Sequence, residues 1–181
     1  MIHKPLICHN KTLPTDIKNI TATVSFLPTG DLHLRYQLIG NVAQLLIPKP
    51  QKPTVIDGLW KHTCFELFIA VEGESNYHEF NFAPSGQWAT YAFSDYRIQS
   101  ERSFNPTQLI NFTQTNTHLL LDVVIAQTDL PQNPSGKLIQ LGITAVIEAI
   151  DGDHSYWALH HPLTHPDFHH RAGFILPLNL S

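Results

Sequence analysis

The densest group of chemically capable residues is Gly58-Leu-Trp-Lys-His-Thr-Cys-Phe-Glu-Leu-Phe-Ile69. Read as a strand entered near His62, it places His62, Cys64, Glu66 and Phe68 on one face, opposite Phe65, Leu67 and Ile69. A carboxylate then stands among apolar neighbours. There it is satisfied by water or a cross-strand partner, or else it accepts hydrogen bonds from a ligand's hydroxyls. The next polar group alternates in the same way, with Tyr77, Glu79 and Asn81 against His78, Phe80 and Phe82. If the two strands are neighbours, Glu66, Glu79 and Asn81 form one hydrogen-bonding patch. Two acids so close need a cation, calcium for example, or a proton on one partner. Such a pair also serves glycoside hydrolysis, but only at a separation that the sequence does not give.

Three tryptophans accompany these groups. Trp88 lies inside a strand pattern and reads as core, whereas Trp60 falls in a loop ahead of the strand and Trp157 near the C-terminus. Two flanking indole faces suit a sugar ring, whose C–H groups form an apolar surface while its hydroxyls demand partners. The segment from His160 to Arg171 carries His161, His165 and His169 at intervals of four, the spacing of one helix face. Pro162 and Pro166 follow two of them and push the preceding residues out of helical geometry, so a helical zinc motif is excluded. The segment reads instead as a structural loop, with a loop zinc site as the alternative. No Gly-x-Ser-x-Gly elbow occurs, and Ser85 sits in a plain turn, Pro84-Ser85-Gly86.

The elements that must position these groups are strands. Period-2 alternation, as in Leu32, Leu34, Tyr36 and Leu38 against His33, Arg35 and Gln37, marks half-buried antiparallel strands. Such segments are expected at 20–27, 31–40, 63–70, 77–82, 87–93, 118–126, 138–150, 155–159 and 174–178, with turns at 28–31, 48–53, 72–76, 84–86, 131–136 and 151–153. The 13 prolines leave room for single helical turns at most, at 94–102 and 125–130. The expected fold is an all-β antiparallel sandwich in a single domain over 1–181.

Charge narrows the function classes. With 14% charged residues and a formal net charge of −4, the chain has no basic footprint for phosphates, so neither nucleic acid nor an anionic membrane is an expected partner. Cys8 and Cys64 stand apart as thiols. No stretch near the N-terminus has the apolar run of a signal peptide, which makes the cytoplasm the expected location.

Trp60-Lys-His-Thr-Cys-Phe-Glu66-Leu-Phe-Ile, Tyr77-His-Glu-Phe-Asn81-Phe-Ala-Pro-Ser-Gly86 and Tyr156-Trp157 together resemble the DOMON-like domains related to carbohydrate-binding module family 9, over roughly residues 20–180. The stand-alone bacterial type is the nearest in pattern. This resemblance implies an immunoglobulin-like or jelly-roll β-sandwich that is not an enzyme and needs no cofactor. By motif position it implies a small polar ligand of sugar type, clamped between Trp60 and Trp157, with Glu66 and Asn81 at its hydroxyls and His62 and Arg171 at the rim. Other DOMON-like domains bind haem. Met1 is the only methionine, which excludes Met/His ligation and leaves bis-His open. A metal-dependent hydrolase using the C-terminal histidines is the rival from another class, and a purely partner-binding domain a third. The oligomeric state is left open.

Overall fold

The structure is a computed structural model that describes residues 1–14, 16–100, 109–131 and 136–178. Twelve strands follow in chain order: β1 (Ile2–Cys8), β2 (Ile17–Phe26), β3 (Leu32–Gly40), β4 (Cys64–Val71), β5 (Tyr77–Phe82), β6 (Trp88–Asp95), β7 (Ile98–Gln99), β8 (Leu109–Gln114), β9 (His118–Ile125), β10 (Ile139–Glu148), β11 (His154–Ala158) and β12 (Leu176–Leu178). All pair antiparallel, and among the described residues the helical pieces are four single 3-10 turns. Of the two expected helical turns, 125–130 holds one of these, at Gln127–Asp129. The other becomes the β6–β7 hairpin, and its residues 101 and 102 lie outside the described residues. So does most of the turn expected at 131–136.

Period-2 burial explains how the strands stack. One layer runs β1-β2-β3-β9-β8 and the other β7-β6-β5-β4-β10-β11, with β12 added to β10. Leu32, Leu34, Tyr36 and Leu38 of β3 and Leu119, Leu121, Val123 and Ile125 of β9 turn inward to meet Phe65, Leu67 and Ile69 of β4 and Phe80 and Phe82 of β5 in one buried cluster. The Tyr36 hydroxyl crosses this interface and donates to the carbonyl of Glu66 at 2.6 Å. An otherwise costly buried hydroxyl thus fixes one sheet against the other. The result is the expected β-sandwich.

The strand that sequence patterning did not show is β1, because Pro5 interrupts it. Its residues 2–6 pair with β2, while Ile7 and Cys8 pair with β11, so one strand belongs to both layers. The short β7 and the edge strand β8 were likewise not anticipated. Gly86 closes the β5–β6 hairpin at φ 86, a left-handed conformation that favours glycine.

Candidate functional site

The core is met by Phe65, Leu67 and Ile69 of β4 and Phe80 and Phe82 of β5, and period 2 therefore sends Glu66, Glu79 and Asn81 to the outer face of the second sheet. Register then arranges them. Asn81, Glu66 and Thr144 stand in one row across β5, β4 and β10, and Tyr91, Glu79 and Phe68 in the next row across β6, β5 and β4. In β10 the second row continues to Gly142.

The segment 160–175 lies over this outer face. Phe174 packs with Phe68, Ala70 and Tyr77, and a Cβ on Gly142 would stand 2.6 Å from the Phe174 ring. Glycine at 142 is what lets the segment seat. We expect Gly142→Ala to cost about 1–3 kcal/mol through this clash, read by denaturant unfolding; a variant as stable as the parent would mean that the segment is not packed there.

Between the seated segment and the sheet a cavity of about 430 Å³ remains, within the range of small-molecule sites. Glu66, Phe68 and Glu79 lie among its lining residues on the sheet. Trp60 and Tyr91, in edge contact at 5.6 Å, line the β6 side, and Tyr156 and Phe168, at 6.0 Å, the β11 side.

The polar groups form three short hydrogen-bonded sets. Thr144 Oγ1 donates to Glu66 Oε2 at 3.0 Å, and Asn81 Nδ2 donates to Glu79 Oε1 at 2.8 Å. The Tyr77 hydroxyl accepts from the Arg97 backbone N–H and lies 2.8 Å from His169 Nδ1; since the hydroxyl already accepts once, the tautomer that also uses its proton has Nδ1 accepting. This places the ring proton on Nε2, facing Glu79 Oε2 at 3.7 Å. Burial pushes Glu66 well above the usual carboxylate range, and the nearby Glu79 carboxylate pushes it further. Burial raises Glu79 to about 7 against the opposing pull of Asn81 and Arg97. Burial and then Arg97 lower His169 to about 4, so the ring is neutral at neutral pH. At 3.7 Å its approach to Glu79 is a polar contact rather than an ion pair.

Asp167 holds the cavity wall together. Its oxygens accept from the Tyr96 hydroxyl at 2.6 Å, from Arg97 Nη2 at 2.9 Å and from the His169 N–H at 3.1 Å, tying the β6–β7 hairpin to the 160–175 segment. Arg97 adopts φ 55, a conformation that costs a non-glycine residue about 1 kcal/mol. Its ion pair and its place on the cavity wall offset that strain.

The residues expected from the sequence are distributed unevenly. Glu66 and Asn81 are adjacent and buried, Glu66 on the cavity and Asn81 beside it, while Trp60 stands at the rim, 40% exposed. Trp157 does not face the cavity: it is 6% exposed in the inter-sheet core, its indole N–H donates to Ser155, and Tyr156 takes the cavity side. His62 is exposed and contacts Glu148 at 2.8 Å, away from the cavity. Arg171 donates to the carbonyls of Asn76 and Val71 and lies over Phe174, so it holds the segment down rather than reaching a ligand. Arg97, Asp167 and Tyr156 were not anticipated as site residues. His169 stood in the sequence only as one rung of a possible zinc ladder. The first rung of that ladder, His161, bonds the Ile7 carbonyl at 2.9 Å instead. Among the described residues, no group of three or more His, Cys, Asp or Glu side chains is arranged to hold a metal ion.

No family model and no curated protein matches the chain. Two solved structures share its fold. One is a Bacteroides uniformis ATCC 8492 protein, provisionally described as carbohydrate-binding, with a TM-score of 0.63 and 15% identity over 97% of this chain and 84% of that one. The other is a carbohydrate-binding module of family 9 from Caldicellulosiruptor kristjanssonii in complex with glucose, with a TM-score of 0.51 and 9% identity over 83% of this chain and 75% of that one.

Proposed function

We propose that the protein is a non-catalytic binding domain whose ligand is a carbohydrate ring, held in the cavity on the outer face of the second sheet. The observation that carries this reading is the pairing of aromatic side chains on two sides, Trp60 with Tyr91 and Tyr156 with Phe168, with buried carboxyl groups between them. Rings accept the apolar C–H faces of a sugar, and Glu66 and Glu79 supply acceptors for its hydroxyls. Trp60 and Tyr156 take the stacking roles, since Trp157 belongs to the core. The glucose complex of a family 9 module with the same fold supports the ligand class.

Stacking adds roughly 0.5–1.5 kcal/mol per aromatic face beyond area burial. Offset by the ordering cost of association, such contacts give affinities on the order of 10 μM to 1 mM. Trp88 and Trp157 are buried, which leaves Trp60 as the fluorescent reporter at the cavity. A panel of mono- and disaccharides should therefore produce a weak, saturable change in tryptophan emission. Trp60→Ala should weaken binding of the best ligand about tenfold by calorimetry, with the melting temperature kept. Absence of saturable binding by every sugar in the panel would sink the reading.

A further inference from the structure

We propose that the cavity selects an amino sugar, a ring bearing a protonated amine, over its neutral counterpart; this rests on the carbohydrate reading above. The geometry around Asn81 points to it. Asn81 is fully buried, its amide N–H donates to Glu79, and its Oδ1 has no partner among the described residues, although Asn81 pairs directly with Glu66 across the strands. An amide set between two carboxyl groups presents hydrogens to one and its oxygen to the other. Its oxygen needs a donor, and a proton on Glu66 supplies one, while Glu79 is left as the acceptor. Above about pH 7 the pair therefore holds one proton and one negative charge, and near pH 7 a bound cation draws Glu79 into that state.

That remaining charge has little compensation within the cavity. His169 faces Glu79 as a neutral ring with its N–H at 3.7 Å. Among the described residues that line the cavity Arg97 is the one cation; it favours the charged form of Glu79, but its guanidinium is committed to Asp167, whose side chain is 2% exposed. Asp57 at the rim, which accepts from the Tyr91 hydroxyl, adds a further carboxylate. Neutral hydroxyls would solvate Glu79, but an ammonium both donates hydrogen bonds and neutralises it. The walls reinforce this choice, because the faces of Trp60, Tyr91 and Tyr156 attract a cation that is desolvated beside them.

The test compares D-glucosamine, D-glucose and N-acetyl-D-glucosamine on the unmodified protein by isothermal titration calorimetry at neutral pH. Glucosamine should bind at least about tenfold more tightly than either neutral sugar, the increment expected of a charge-assisted hydrogen bond. Glu79→Gln preserves an acceptor for Asn81 and should abolish the preference, costing glucosamine at least about tenfold more affinity than it costs glucose. Equal binding of all three sugars by the parent overturns the amine selectivity and leaves the carbohydrate reading standing. Failure of all three to bind overturns the amine selectivity, and failure of the whole panel overturns the carbohydrate reading with it. A preference that survives Glu79→Gln overturns the assignment of the charge to Glu79.

Discussion

Trp157→Ala should remove about 3–5 kcal/mol of folding stability, whereas Tyr156→Ala, one residue away, should leave the fold intact and weaken ligand binding about tenfold. The indole of Trp157 lies in the inter-sheet cluster, opposite Ala145 of β10 and Cys8 of β1, at the point where β1 passes from one layer to the other. Truncating it leaves a cavity lined by rigid strands, which cannot collapse to fill the space. Ser155 also loses the indole N–H that it accepts. In a protein of this size each kcal/mol moves the melting point by about 2–4 °C, so thermal unfolding followed by circular dichroism should show a drop on the order of 6–20 °C. Tyr156 projects the other way and is only half-buried, so its removal opens the cavity rather than the core. If Trp157→Ala melts with the parent and loses sugar binding, the indole faces the ligand and the placement of β11 is wrong.

This pair of neighbours also marks how far the sequence could be read. The face of Glu66 was legible because Phe65, Leu67 and Ile69 beside it are all apolar, so parity alone decides which way the acid points. In β11 parity does not decide, since Tyr156 and Trp157 are both aromatic and only pairing to β10 and β1 distinguishes their faces. Hairpins such as β5–β6 were legible through Pro84-Ser85-Gly86, whereas β1 was hidden by Pro5, which its position in the ladder tolerates. The rest of the site is a matter of distant pairs. Asp167 meets Tyr96 and Arg97 across some 70 residues, and His169 meets Tyr77 across 92. No local periodicity records such contacts. The histidine spacing that suggests metal is broken by Pro162 and Pro166, and the irregular course of the segment brings His169 to the cavity while His161 goes to β1.

Glu66→Gln should stabilise the protein at neutral pH and flatten its dependence on pH. Glu66 is 2% exposed and held above its ordinary range by burial and by Glu79, so in the folded state it keeps a proton that the unfolded chain sheds above about 4.5. Glu79, raised from 4.5 to about 7, behaves likewise. His169, lowered from 6.5 to about 4, does the opposite: the unfolded chain holds its proton and the folded protein does not. Between about 4.5 and 6.5, then, two groups make stability fall as pH rises and one makes it rise. The parent should therefore lose stability as pH rises across this window, and lose it faster from 6.5 to 7, where His169 no longer opposes. The glutamine cannot titrate. In the variant Glu79 and His169 cancel between about 4.5 and 6.5, and the curve stays flat until it begins to fall above 6.5. The amide also fits its surroundings, since its oxygen can accept from Thr144 and its N–H can reach the partnerless oxygen of Asn81. Urea unfolding across this pH range measures both effects. If the variant is less stable than the parent at neutral pH, or keeps the parent's slope, then Glu66 is ionised in the folded protein, and the shared proton on which Asn81 depends is not there.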